Sequence, residues 1–283
     1  MRHDKANNAN DSVLYMDLPE AAFTRYNKCN LPSNILGSLS FQNEPLELKI
    51  DCLHELYKKL FERLSITPLK EKRTHDFLKC LIAHFSLDKL SEVGFSGDLR
   101  LNRSKIDYRR VIRGWHFNSD STEGAVLKGW VESRFGLYPR YHIRAIRSVY
   151  DDSYTEYLIS KAKGLYNTNA LESQLDLIYS YCQYELQLKY TESKTIKLYR
   201  GINKLESFEI KKSDLNREFA ILFNNINSFS VSKERAEEFG DYVLETQVPI
   251  SKIFFYNSLF PELLDSEEEY IAIGGLYRVC MTT

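Results

Sequence analysis

Three consecutive carboxylates, Glu267, Glu268 and Glu269, stand where "DSEEEYIAIGG" passes from acid into an apolar run. In an extended chain, side chains alternate between faces. Glu267 and Glu269 then share one face, about 7 Å apart, and Glu268 takes the other. Ile271 and Ile273 continue the face of Glu269, so that carboxylate borders a buried surface. A solvated acidic turn ahead of a strand is the ordinary account of such a run. The alternative is a pair of carboxylates aimed into a cleft, where a cation or hydrogen-bond donors offset their repulsion.

Two further stretches contain groups suited to such a cleft. In "KLYRG", Arg200 ends an apolar strand and Gly201 follows it. A guanidinium there forks two hydrogen bonds to a phosphate, and glycine lets a ligand approach the backbone closely. An edge-strand arginine in solvent is the plainer alternative. In "NSFSVSKERAEEFGD", Ser228 and Ser230 share one strand face, and Ser232 is placed to cap a short helix over 233–239. Alone, that stretch reads as an ordinary strand, turn and helix.

In chain order, Tyr-Arg-Gly, Ser-x-Ser before "RAEEF", and Glu-x-Glu opening a strand resemble the Arg–Ser–Glu class of mono-ADP-ribosyltransferases. Three longer stretches narrow the likeness: "LPSNILGSLSFQNEPLEL", "GWVESRFGLYPRYH" and "NNINSFSVSKERAEEFGDYVLETQVPISKI". With them, nearly the whole chain beyond its first dozen residues resembles the NAD–dinitrogenase-reductase ADP-ribosyltransferase family. The resemblance implies an α+β ADP-ribosyltransferase fold, with a helical N-terminal part packed on a C-terminal split antiparallel β-sandwich that holds an NAD cleft. It also implies transfer of ADP-ribose from NAD+, consumed as a substrate, to an arginine of dinitrogenase reductase, which switches off nitrogen fixation. One departure is "SFS", where the class more often has Ser-Thr-Ser; Phe229 is expected to point away from the cleft. Either Ser228 or Ser230 is the motif serine, and counting back from "RAEEF" favours Ser228.

The resemblance also assigns roles. Glu269 places negative charge beside a developing oxocarbenium ion and holds the ribose 2′-hydroxyl. Nicotinamide leaves as a neutral molecule, so no general acid is needed, unlike ordinary glycoside hydrolysis. Glu267 grips the acceptor guanidinium and draws off its proton, since a group with a pKa of about 12.5 or above is a poor nucleophile. Arg200 holds the pyrophosphate or the nicotinamide ribose, and Gly201 opens the backbone to the nicotinamide amide. Ser228, with Ser230, positions the ribose and orients Glu269. Strand alternation, which turns Glu268 to the other face, makes that residue dispensable. The implied partners are dinitrogenase reductase and a PII-type signal protein. An arginine-directed transferase with another target is one alternative. A non-catalytic protein that binds NAD or a partner on the same scaffold is the other. The intact set Arg200, Ser228, Glu267 and Glu269 favours the enzyme.

Composition narrows the classes further. The chain has 283 residues, 43% apolar and 27% charged, with a formal charge of −1. That is an ordinary soluble composition and argues against wholesale coating of nucleic acid or membrane. Charge is uneven, however: Arg100 to Arg147 contains eleven Lys or Arg against four acids. This segment reads either as solvated helix faces or as a docking face for an acidic protein partner, and its acids disfavour nucleic acid. The five cysteines are widely spaced, odd in number and lack a CxxC pair, which points to reduced thiols in the cytoplasm. No run approaches the roughly 18 apolar residues of a membrane span. Without HExxH or a Cys/His cluster no metal site is expected, and without GxGxxG no hydride-transfer dehydrogenase.

The elements that must position these residues follow from periodicity. Residues 1–12 read as a disordered tail. Residues 13–283 read as one ADP-ribosyltransferase domain, mostly helical over 13–190 and mostly β over 191–283. Ile50, Leu53, Tyr57, Leu60 and Leu64 predict a helix over 46–64. A second is predicted from Thr74, as N-cap, to Leu90, and two more over about 152–163 and 169–190. Residues 100–150 mix basic and aromatic residues without a clear period. After Thr195, "IKLYRG", "INSFSVS", "YVLETQV", "KIFFY" and "YIAIGGLYRV" predict short strands. Helices first and strands later make an α+β architecture.

Overall fold

Apolar residues at three- and four-residue spacing bring the first part of the chain into helices. The computed structural model describes residues 16–87, 106–205, 208–212, 218–264 and 268–282; the tail expected over 1–12 lies outside them. Two short helices, α1 (Ser33–Leu36) and α2 (Leu39–Asn43), interrupt the loop-like opening. The helix predicted over 46–64 is instead two pieces, α3 (Leu53–Leu56) and α4 (Lys58–Ser65). All five periodic residues are buried as expected. Ile50, however, lies in extended chain bridged to Cys29, and Cys52 turns the backbone at φ 60° before α3 begins. Burial of a stripe does not require one continuous helix.

Helix α5 spans Lys70–Phe85 and starts one turn earlier than predicted, directly after Pro68 and Leu69. Thr74 is not its cap; the hydroxyl of Thr74 is hydrogen-bonded to that of Tyr181 at 2.9 Å. The unassigned region holds α6 (Tyr108–Phe117) and α7 (Thr122–Phe135). Asp107 and Ser121 cap them, accepting from the backbone N–H groups of Arg109 and Gly124. Helix α7 has no clear period because it is buried nearly all round, including Lys128 and Arg134. A two-residue hairpin, β1 (Tyr141–His142) and β2 (Arg144–Ala145), leads to α8 (Asp152–Leu165) and α9 (Ala170–Lys189). Leu171, Leu175, Ile178, Cys182 and Leu186 of α9 are fully buried, as their spacing predicts.

The strands are β3 (Thr195–Ile202), β4 (Glu209–Lys212), β5 (Glu218–Ser230), β6 (Tyr242–Pro249), β7 (Ile253–Tyr256) and β8 (Glu269–Thr282). All pairings are antiparallel, in the order β4-β5-β3-β6-β8-β7, with β5 also paired to β8. The long strands β5 and β8 are shared between both parts of the sheet system, so it bends back on itself. The bend is built at a bulge between Phe223 and Ile226, opposite Gly274 and Gly275. A Cβ on Gly274 would lie 1.6 Å from the Asn224 carbonyl oxygen, and Gly275 has φ +105°, so both positions require glycine. The buried Lys252 ammonium donates to the Gly274 carbonyl at 2.9 Å. Gln183 ties α9 to the sheet by donating to the carbonyls of Ile250 and Ile253. A short α10 (Lys233–Glu237) follows β5, and Ser232 caps it as predicted. This is the α+β, helix-then-strand architecture that the chain's texture implies.

Candidate active site

Strand register brings the sequence-distant candidates together. Tyr199 of β3 pairs with Ser230 of β5, and Ser230 pairs with Glu269, the first residue of β8. Paired residues of antiparallel strands point the same way, so Ser230 and Glu269 share a face, and Ser228 lies on it two residues earlier. Arg200 follows Tyr199, and its Nη1 donates to the Ser228 carbonyl oxygen at 2.5 Å. Arg200, Gly201, Ser228, Ser230 and Glu269 all line one cleft of about 1200 Å³.

Helix α6 closes the site from the other side. The indole Nε1 of Trp115 donates to Ser228 Oγ at 3.0 Å. His116 Nδ1 meets Glu269 Oε2 at 2.7 Å. The imidazole is partly exposed, whereas the Glu269 side chain is only 14% exposed. Neither residue stands out in the sequence as a site residue. Trp115 reads as an aromatic core residue and His116 as a surface or core histidine. The available signal is their adjacency in "GWHF": a buried tryptophan needs an acceptor for its N–H, and here that acceptor is a cleft serine.

Arg200 dominates the electrostatics. Arg200 is half-buried, and removal of its guanidinium from water pushes its pKa down to about 10, against the opposing pull of Glu269. Its Nε is buried without a hydrogen-bond partner. Buried polar groups in folded proteins are nearly always paired, so such a donor at a cleft suits an anionic ligand. The cleft's size and its mixed polar and apolar walls also fit a dinucleotide.

The sequence profile of the dinitrogenase reductase ADP-ribosyltransferase (DRAT) family matches residues 26–281. The chain belongs to this family. It is 37% identical over 258 residues to the NAD(+)--dinitrogen-reductase ADP-D-ribosyltransferase of Rhodospirillum rubrum, a match covering 89% of this chain and 93% of that protein. No solved structure matches the chain.

Within this family member, several expectations need refinement. Glu267 lies outside the described residues. Glu268 was expected to face away, yet it borders the cleft with Glu269. Alternation holds only within a strand, and β8 starts at Glu269, with Glu268 in a bend. Gly201 lines the cleft, but its lack of a side chain is required by packing: a Cβ there would lie 2.1 Å from the Ala236 carbonyl oxygen. Phe229 is buried against Phe223 and Tyr277 and also borders the cleft, with Arg200 over its ring at 6.0 Å. Both serines are in the site. Ser228 receives Trp115 and Arg200, while Ser230 faces Glu269 and accepts from the Ser232 N–H at 3.1 Å.

The basic segment serves the fold. Arg109 pairs with Asp107, Arg110 with Glu123, Lys128 with Asp120, Arg134 with Asp176 and Glu172, Arg140 with Glu209, and Arg144 with Glu156. Arg113 donates to the Leu263 carbonyl. Most of these cations tie helices and loops to one another, whereas the Arg144–Glu156 pair lies in solvent and the exposed Arg147 borders the cleft. Arg100, Arg103 and Lys105 lie outside the described residues. Among the described residues no group of three metal-binding side chains occurs, and no helix is long and apolar enough to cross a membrane.

Proposed function

We propose that the chain transfers ADP-ribose from NAD+ to an arginine of dinitrogenase reductase. The carrying observation is the convergence of Arg200, Ser228 and Glu269, from three strands, on one cleft. In the proposed reaction the ribose–nicotinamide C–N bond breaks and its electron pair leaves with neutral nicotinamide. A guanidine nitrogen of the acceptor then bonds to the same ribose carbon and releases a proton. Glu269 sets a negative charge beside the oxocarbenium ion that develops between these events. Arg200, with an unpaired Nε and a guanidinium kept charged well above neutral pH, binds the NAD+ phosphates or ribose. Ser228 and Ser230 position the ribose, held in place by Trp115 and by the Ser232 N–H. Glu267 is assigned to the acceptor guanidinium by its place two residues before Glu269.

The helical and β parts act as one transferase domain on this reading, because both line the cleft: Trp115, His116 and Arg140 belong to the first, and Arg200, Ser228 and Glu269 to the second. The cytoplasm is the proposed place of action, in line with the cysteine pattern. Control by a PII-type signal protein belongs to the proposal through the family resemblance alone. Incubation with labelled NAD+ and purified dinitrogenase reductase tests the reading. Label should enter the reductase and be lost when its acceptor arginine is replaced; release of nicotinamide with no label on the reductase would reject that target.

A further inference from the structure

His116 faces the carboxylate on which the proposed chemistry depends. Its Nδ1 lies 2.7 Å from Glu269 Oε2. An ionised carboxylate only accepts, so Nδ1 carries the proton of this hydrogen bond. Helix α6 is a firm mount for that donor. Val111, Ile112 and Trp115 are buried, Arg110 is paired with Glu123 and donates to the Gly164 carbonyl, and Arg113 donates to Leu263. The neighbouring Trp115 holds Ser228 from the same turn. Glu269 sits at the very start of β8, where the ladder holds its backbone on one side only of the chain, through Ser230.

Resting on the transferase reading above, we infer that His116 is a positioning residue for Glu269. Its Nδ1–H engages Oε2 and fixes the carboxylate rotamer. The second oxygen, Oε1, has no hydrogen-bond partner among the described residues and is left for the substrate ribose. His116 neither receives nor gives a proton in the reaction; it acts through Glu269. Loss of the contact should therefore slow carbon–nitrogen cleavage itself, whether water or arginine is the acceptor, and leave NAD+ capture by Arg200 intact.

The test compares wild type, His116→Ala, His116→Asn and His116→Gln in the full chain. Nicotinamide release from NAD+ is measured without acceptor, and label transfer with dinitrogenase reductase. Asparagine places an N–H near the position of Nδ1, whereas glutamine places its own near that of Nε2. His116→Ala should lower kcat of both reactions by about 10- to 100-fold, the range for losing a hydrogen bond to a charged group. KM for NAD+ should move less than about threefold, and His116→Asn should recover most of kcat while His116→Gln does not. A His116→Ala kcat within twofold of wild type would overturn the inference. So would a rise in KM at constant kcat, or equal activities for the three variants with matching losses of thermal stability. Should wild type itself release no nicotinamide and label no protein, the transferase reading falls and this inference falls with it. If wild type is active, the variants judge His116 alone.

Discussion

Arg134 is buried and Arg200 half-buried, and the two are treated in opposite ways. Arg134 donates to both Asp176 oxygens at 2.8 Å, to Glu172 and to Ser133. Among the described residues Arg200 makes one hydrogen bond, to the Ser228 carbonyl, and its Nε has no partner. Burial of a charge is tolerated where partners replace water, as at Arg134, and costs stability where they do not. An under-satisfied guanidinium at a cleft is what the proposed NAD+ site calls for. The basic stretch in the sequence and the single Arg of "LYRG" therefore differ in use: most of the described cations of the stretch are tied to carboxylates, whereas Arg200 is the one proposed to bind NAD+.

Mutations can break this contrast. Arg134→Leu strands the Asp176 carboxylate in the core and should cost about 3–5 kcal/mol in chemical denaturation, enough to threaten folding. Glu269→Gln keeps shape and loses charge, so turnover in both arginine transfer and NAD+ hydrolysis should fall about 10²–10³-fold, near 3–4 kcal/mol, with the fold intact. Glu267→Gln should instead abolish transfer and spare hydrolysis, and Glu268→Gln should affect both less than Glu269→Gln does. Equal losses in all three would leave no special role for the first residue of β8.

Smaller effects sharpen the comparison. Arg200→Met should weaken NAD+ binding by about 10- to 100-fold, yet shift denaturation by under about 1 kcal/mol, since it removes a poorly paired charge. A stability loss as large as that of Arg134→Leu would make Arg200 a structural residue too. The Lys128–Asp120 pair has a pH signature. Burial and the adjacent Lys128 push the pKa of His142 from 6.5 down to about 4. A neutral folded histidine lets the unfolded chain bind more protons, so stability should be full above about pH 6.5 and fall as pH drops toward about 4. His142→Gln should flatten that slope in urea titrations. Smallest of all should be the salt effect: with most of the described basic segment already paired with carboxylates, raising salt from about 50 to about 200 mM should change the modification rate less than about threefold.

Legibility from the sequence followed the same division. The β runs after Thr195 were readable because β-branched and aromatic residues between turns can satisfy a sheet and little else. Arg200, Ser228 and Glu269 were readable as a set only through the resemblance of their order to the Arg–Ser–Glu class, since each stretch alone reads as an ordinary strand or turn. Helix α7 was not, because hydropathy scores Lys128 and Arg134 as surface while Asp120 and Asp176 make them core. The stripe over 46–64 was read as one helix because period cannot register the left-handed turn at Cys52. His116 was invisible as a partner of Glu269, which lies 153 residues away and meets it only after α6 has docked.

The bulge opposite Gly274 and Gly275 has a consequence for how such a chain can vary over time. It pins β8 against β5 downstream of Glu269, through a contact that tolerates no side chain. A slip of one residue would send Glu269 to the other face, so this anchor sets where the carboxylate points. Exchanges elsewhere along the two strands can therefore accumulate while the carboxylate keeps its aim.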